Sequence, residues 1–261
     1  MTPTEKKMVE KLKLLKNDYG VDYVKAEFEA EGTRTDDLMR LLDVINAAGI
    51  KLAIKIGGCE AIRDLLECKL IGIDRIIGPM IETPYAVKKF SNALHQVYNS
   101  DELSSMQCLI NLETITSYEN IDSIIREIVD SKIITGFVFG RTDFCGSIGL
   151  DSDQINSDNV RNYCKKTAIK CEENDLNLTI GGGLSYDSYD FLRDVYSHRL
   201  NDFETRKIIF DSNVLSNGFM KAADEALEFE LLYLTNKQNF YQNIADEDIN
   251  RINVIKKRLS T

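Results

Sequence analysis

Two acids at the ends of two neighbouring strand-like runs are the first residues that could do chemistry. Within residues 107–150, the apolar run 108–112 ends on Glu113. An amphipathic stretch follows, and the apolar run 133–139 then ends in Gly140-Arg141-Thr142-Asp143. Carboxylates at adjacent strand ends offer hard oxygen ligands to a divalent cation. Neither His nor Cys accompanies them, which points to Mg²⁺ or Mn²⁺ rather than Zn²⁺. The ordinary alternative for Glu113 is an acid favoured at a helix start, and spacing alone does not separate the two readings.

The chain as a whole alternates strand and helix patterns. A leading helix covers residues 4–19, and residues 21–30 alternate in polarity. Further strands are expected at 51–58, 74–81, 108–112, 133–139, 176–180 and 203–210. Helical patterns lie between them, such as 35–48, which has Asp36 and Asp37 in its first turn and is closed by Gly49. A polar loop is expected at 99–105, a Gly- and Asp-rich loop after 139, and two closing helices at 218–234 and 247–259. Strands recurring about every 25 to 35 residues mean parallel βαβ units. The expected fold is α/β, a (β/α)8 TIM-type barrel with additional terminal helices, as a single domain over residues 1–261. Seven strands are legible; the eighth is degenerate, missing, or hidden near the N-terminus. A doubly wound open sheet is the alternative.

In a barrel one strand face meets the helices and the other points inward. Val24, Ala26 and Phe28 share one parity, which leaves Lys25, Glu27 and Glu29 inward, together with Lys55, Asn111 and Glu113. Unpaired charge is costly in an interior, so these groups pair with one another or surround a polar ligand. Lys25 and Glu27, early in their strand, are expected to form a structural pair. Glu29, Lys55, Glu113 and Asp143 lie at C-terminal strand ends, the functional end of such barrels. Gly181-Gly182-Gly183, between a strand and a helix, could bring backbone amides to an anionic ligand or form a plain turn. Arg141 could contact an anionic substrate or pair with Asp143. Glu204 and Arg206 share a parity and could form an ion pair.

The net charge of −10 argues against nucleic-acid or anionic-membrane partners. No membrane span or signal-peptide pattern is read, and six cysteines without CxxC spacing suit buried thiols in a cytoplasmic protein. Lys256, Lys257 and Arg258 are read as a solvated end or subunit contact.

Leu112-Glu113-Thr114, then Gly136-x-x-x-Gly140-x-x-Asp143, then Ser147-x-Gly149, resembles the HpcH/HpaI aldolase and citrate lyase β-subunit family. Pro79-Met80-Ile81-Glu82-Thr83 is similar to a segment at the end of an earlier strand in that family. The resemblance implies a phosphoenolpyruvate/pyruvate-type barrel, Glu113 and Asp143 as metal-binding acids, Ser147 and Glu82 near the substrate, and a homo-oligomer. It also implies carbon–carbon bond cleavage or formation beside a pyruvate, oxaloacetate or acyl-CoA enolate. Two departures stand out. Lys55 occupies the place of an Arg that grips the keto acid, and no His follows the first matched strand. Glu29, Glu31 or a metal-bound water would then move the proton. The expected activity is a Mg²⁺- or Mn²⁺-dependent aldolase using a keto acid and an aldehyde, with a sugar-type aldehyde among the candidates. The alternatives are a phosphoenolpyruvate- or acyl-CoA-using enzyme and an inactive barrel serving as a binding subunit.

Overall fold

The computed structural model describes residues 1–216 and 218–260. Helix α1 (Pro3–Tyr19) opens the chain; Thr2 caps it in a reciprocal box with Glu5, and Gly20 closes it at φ 62°. Then follow β1 (Val21–Glu27), α2 (Thr35–Ala48), β2 (Lys51–Lys55), α3 (Ile62–Ile71), β3 (Arg75–Gly78) and α4 (Pro84–Val97). The expected loop at 99–105 contains a one-turn helix, α5 (Ser100–Ser104), because Asn99 and Glu102 form another capping box. Next come β4 (Gln107–Leu112), α6 (Ile115–Glu119), α7 (Ile121–Ser131) and β5 (Ile134–Gly140). Helix α8 (Arg141–Ser147) starts directly on β5, where a loop was expected. The chain continues through α9 (Asp158–Glu173), β6 (Asn177–Gly181), α10 (Tyr189–Tyr196), β7 (Asp202–Glu204), β8 (Ile208–Asp211) and α11 (Phe219–Leu259).

The eight strands close into a barrel in sequence order. Strands β1 to β7 run parallel, but β8 is antiparallel to both β7 and β1. The eighth strand is therefore not near the N-terminus. It is the second half of the single run expected at 203–210, folded back at Thr205–Arg206–Lys207. That turn sits at the C-terminal end of the parallel strands. Helix α11 then climbs beside α1: Lys11 pairs with Glu225 and Glu228, and Thr2 meets Asn236. The two closing helices expected from the sequence are one 41-residue helix.

Apolar parity builds the outer core. Val24, Ala26, Ile54, Ile76, Cys108 and Ile110 are fully buried between strands and helices; burying a valine or isoleucine side chain stabilises by roughly 1.5–3 kcal/mol. Inside the barrel lie two small apolar clusters, Tyr23 with Ala53 and Ile209, and Ile77 with Leu109 and Val138. Arg75 lies against Tyr23 at 4.1 Å and bonds Gln107 and Asp202, both at 2.8 Å. The opposite end holds charges instead, and the candidate site is there. All six cysteines are free thiols, five of them buried.

Candidate active site at the C-terminal end of the barrel

A cleft of about 430 Å³ opens over the strand C-termini. Lys25, Glu27, Lys55, Asn111 and Glu113 line it, as strand parity requires, together with Gly140, Asp143 and the glycine run 181–183. Helix α11 adds Leu227 and Glu230.

Glu113 follows β4 immediately and is 2% exposed. Its Oε1 accepts the Met80 amide at 2.9 Å. Met80 has φ 50°, a left-handed conformation rare for a side chain of this size. Glu113 Oε2 accepts from Asn111 Nδ2 at 2.6 Å and from Lys55 Nζ at 3.2 Å. Lys55 Nζ also reaches Glu29 Oε2 at 3.0 Å, from the loop beyond β1. Burial works against the Lys55 charge, but Glu113 and Glu29 outweigh it and hold the ammonium above the ordinary lysine value. Lys55 is thus a fixed cation rather than a base or a neutral amine.

Asp143 comes from the first turn of α8 and lies within hydrogen-bonding reach of Glu113. Burial raises its pKa above the ordinary carboxylate value, the charges of Glu113 and Glu29 raise it further, and Lys55 opposes them. Two carboxylates this close repel when both are ionised. Gly140 allows the approach: a Cβ there would stand 3.1 Å from the Glu113 Cβ.

This donor set fits a hard divalent cation. Both groups are carboxylates, their mutual repulsion is relieved by positive charge, and no His or Cys lines the cleft. Among the described residues no cluster of three His, Cys, Asp or Glu side chains is suited to hold a metal alone. Such a cation would therefore depend on water and substrate for its other ligands, as Mg²⁺ commonly does.

Other expected site residues have different places. Arg141 is fully buried and turned away from the cleft. Its guanidinium donates to the Gly181 and Gly182 carbonyls at 3.1 and 2.7 Å, and to Asn156 Oδ1 at 2.6 Å. Burial pulls its pKa down to about 10. It pins the glycine run against α8 and neither contacts the cleft nor pairs with Asp143. Ser147 Oγ accepts the Ile115 amide at 2.9 Å, and Glu82 accepts the Thr114 hydroxyl at 2.6 Å. These two brace the segment after Glu113 and do not line the cleft. Gly181, Gly182 and Gly183 do line it, and Gly182 (φ 85°) packs onto α8, where a Cβ would meet the Thr142 nitrogen at 2.6 Å.

Lys25 bridges Glu27 at 2.9 Å and Glu204 at 2.5 Å, so the expected Lys25–Glu27 pair has a third member. Glu204 and Arg206 do not pair with each other. Arg206 holds Glu31 at 3.0 Å, and Lys207 holds its other oxygen. Glu31 is therefore locked in ion pairs, which leaves Glu29 as the partly exposed carboxylate paired with Lys55. Sequence reasoning missed Lys207 and Glu230. A lysine inside an apolar strand run was a visible signal for Lys207; Glu230 looks like any helix-surface acid.

Among solved structures, the fold is similar to an HpcH/HpaI aldolase/citrate lyase family protein from Burkholderia cenocepacia J2315. The TM-score is 0.60 at 14% identity, covering 84% of this chain and 89% of that one. An HpcH/HpaI aldolase from Desulfitobacterium hafniense DCB-2 gives a TM-score of 0.58 at 13% identity, covering 83% and 87%. The citrate synthase SbnG gives 0.59 at 15% identity, covering 88% and 90%. Identities this low speak for the fold alone. A comparison with curated protein sequences finds no match. The sequence profile of the HpcH/HpaI aldolase/citrate lyase family matches residues 20–175, which include Glu29, Lys55, Glu113 and Asp143. With that profile spanning more than half of its length, the chain belongs to the HpcH/HpaI aldolase/citrate lyase family.

Proposed function

We propose that this lyase-family barrel is a divalent-metal-dependent carbon–carbon lyase or aldolase, joining or cleaving a pyruvate-like keto acid and an aldehyde. The observation that carries the reading is the placement of Glu113 and Asp143 side by side at the barrel mouth, with Lys55 against Glu113. Glu113 and Asp143 would hold Mg²⁺ or Mn²⁺. When bound, such a cation supplies Lewis-acid polarisation of a keto-acid carbonyl.

The protein's own groups do the rest. Lys55 is a permanent ammonium, and it opposes the negative charge that develops on the substrate oxygen as the enolate forms. Lysine does this as a point charge, without the two-pronged grip of arginine. Glu29 bonds Lys55 with one oxygen, and its side chain is 38% exposed. In this reading its other oxygen takes the proton from the keto-acid methyl carbon and returns it. Met80 N–H and Asn111 fix both oxygens of Glu113, so the acid is preorganised rather than ordered at each turnover.

The chemistry of the partner is supported by two unsatisfied acceptors. Asn111 Oδ1 and Glu204 Oε2 are buried with no hydrogen-bond partner among the described residues, and both side chains line the cleft. Buried acceptors are costly unless a ligand donates to them. A hydroxylated aldehyde, sugar-like in type, answers that need. The test compares glycolaldehyde and glyceraldehyde with propionaldehyde as partners for pyruvate in the presence of Mn²⁺. A higher kcat/KM for the hydroxylated partners is expected; equal values for all three would remove the hydroxyl reading.

A further inference from the structure

Late loops of a (β/α)8 barrel frequently cradle a phosphate on backbone amides. Gly181-Gly182-Gly183 has the place for that, at the end of β6, but a carboxylate stands over it. A Cβ on Gly181 would lie 2.9 Å from Glu204 Oε1 and 3.1 Å from its Cγ, so the Glu204 side chain fills the space above that backbone. Glu204 is 4% exposed, and its Oε2 has no hydrogen-bond partner among the described residues. A buried carboxylate oxygen without a partner accepts a donor and repels an anion.

The surrounding groups carry the same sign. Glu230 comes from α11, one turn after Leu227, and both line the cleft. Lys25 answers Glu27 and Glu204 together, one cation against two acids. Arg206 has a side chain 57% exposed, but Glu31 holds it at 3.0 Å. That hydrogen bond, with the charges of Glu31, Glu230 and Glu27, outweighs burial and keeps the guanidinium above its ordinary value. Its charge is already matched by the protein. Among the described residues that line the cleft, carboxylates outnumber cations five to three, and a bound keto acid adds a further negative charge.

We propose that this end of the cleft selects the second substrate by charge. Glu204 and Glu230 admit an uncharged hydroxylated aldehyde and reject its phosphate ester, and Glu230 is the specificity-determining residue supplied by α11. This selection presupposes the aldolase activity proposed above and narrows its substrate class. The need for hydroxyl donors is met equally by a free sugar and by a sugar phosphate; only the charge separates them.

The test compares glyceraldehyde with glyceraldehyde 3-phosphate as partners for pyruvate in the presence of Mn²⁺. The free aldehyde is expected to have the higher kcat/KM by about a hundredfold or more at low salt, with the preference shrinking as salt rises. Glu230→Lys is expected to narrow the preference by about tenfold or more. Glu228→Lys makes the same change of charge on α11 at a residue paired with Lys11, and is expected to leave the preference within about twofold. Equal kcat/KM for the two aldehydes, or an equal shift in the Glu230 and Glu228 variants, would overturn the proposal. Turnover with neither aldehyde would count against the aldolase activity alone, and binding then decides the charge selection. In saturation-transfer NMR with Mg²⁺ and saturating pyruvate, glycerol is expected to receive signal in the wild type and glycerol 3-phosphate only in Glu230→Lys. No transfer to glycerol, or transfer to glycerol 3-phosphate as strong in the wild type, would overturn it.

Discussion

Lys55 stands between two carboxylates, Glu29 at 3.0 Å and Glu113 at 3.2 Å, and it is 8% exposed. Its removal leaves like charges facing each other without a counter-ion. Lys55→Met is therefore expected to lower unfolding stability by roughly 3–5 kcal/mol and turnover by about a hundredfold or more. Lys55→Arg keeps the charge and is expected to recover most of the stability; urea melts of the two variants check this. Arg141 makes the opposite case. It touches no cleft surface, so Arg141→Lys is expected to lower stability by about 1–3 kcal/mol through the Gly181 and Gly182 carbonyls it leaves without a donor. A change confined to substrate KM, with no shift in the melt, would contradict that role. Glu113, Asp143, Lys55 and Glu29 were legible in the sequence because strand ends and strand parity are properties of a linear pattern. The role of Arg141 was not. Two residues before Asp143, it reads as part of the same loop until α8 begins at that point and turns the guanidinium inward.

At the level of elements, the glycine run shows how backbone geometry positions a site. Gly182 combines φ 85° with a close backbone neighbour, whereas a Cβ on Gly183 would meet the Ile155 Cδ1 tip at 2.5 Å. A side-chain end can move and a helix-terminal nitrogen cannot. Gly182→Ala is thus expected to cost more than about 1 kcal/mol, and more than Gly183→Ala, in paired thermal melts. The alternating α/β order and most element positions followed from hydrophobic period. Two elements did not. Residues 203–210 read as one strand because no Gly or Pro marks the turn; the only sign was the polar triplet Thr205-Arg206-Lys207 inside an apolar run. Residues 235–246 read as a gap because they lack core residues. They carry no helix breaker, so the backbone continues without interruption into the exposed C-terminal half of α11.

Across the whole molecule, a polar network replaces the apolar filling at one end of the barrel, and it ties strands distant in sequence. Lys25 on β1 holds Glu204 on β7, while Glu31 after β1 holds Arg206 and Lys207 in the returning turn. This network closes the barrel where β8 reverses direction, and it should make stability depend on pH. Burial opposes ionisation of Glu27, but Lys25 and, more weakly, Lys55 and Lys207 prevail and set its folded value below the ordinary 4.5. The unfolded chain then binds more protons in that range. The stabilisation is present above pH 4.5 and is lost as pH falls through the folded value. Glu27→Gln is expected to flatten that acid limb in urea melts taken at successive pH values; an unchanged limb would place the acid sensitivity elsewhere. In the described residues no helix is long and apolar enough to cross a membrane. The role proposed for Glu113 and Asp143 is to hold a divalent cation over a keto acid. Its most direct test is solvent deuterium exchange into the pyruvate methyl group, followed by proton NMR with and without Mn²⁺ or Mg²⁺. Wild-type exchange that requires the metal, and falls by about a hundredfold or more in Glu113→Gln and in Asp143→Asn, is the expected result. Metal-dependent exchange that persists undiminished in both variants would contradict it.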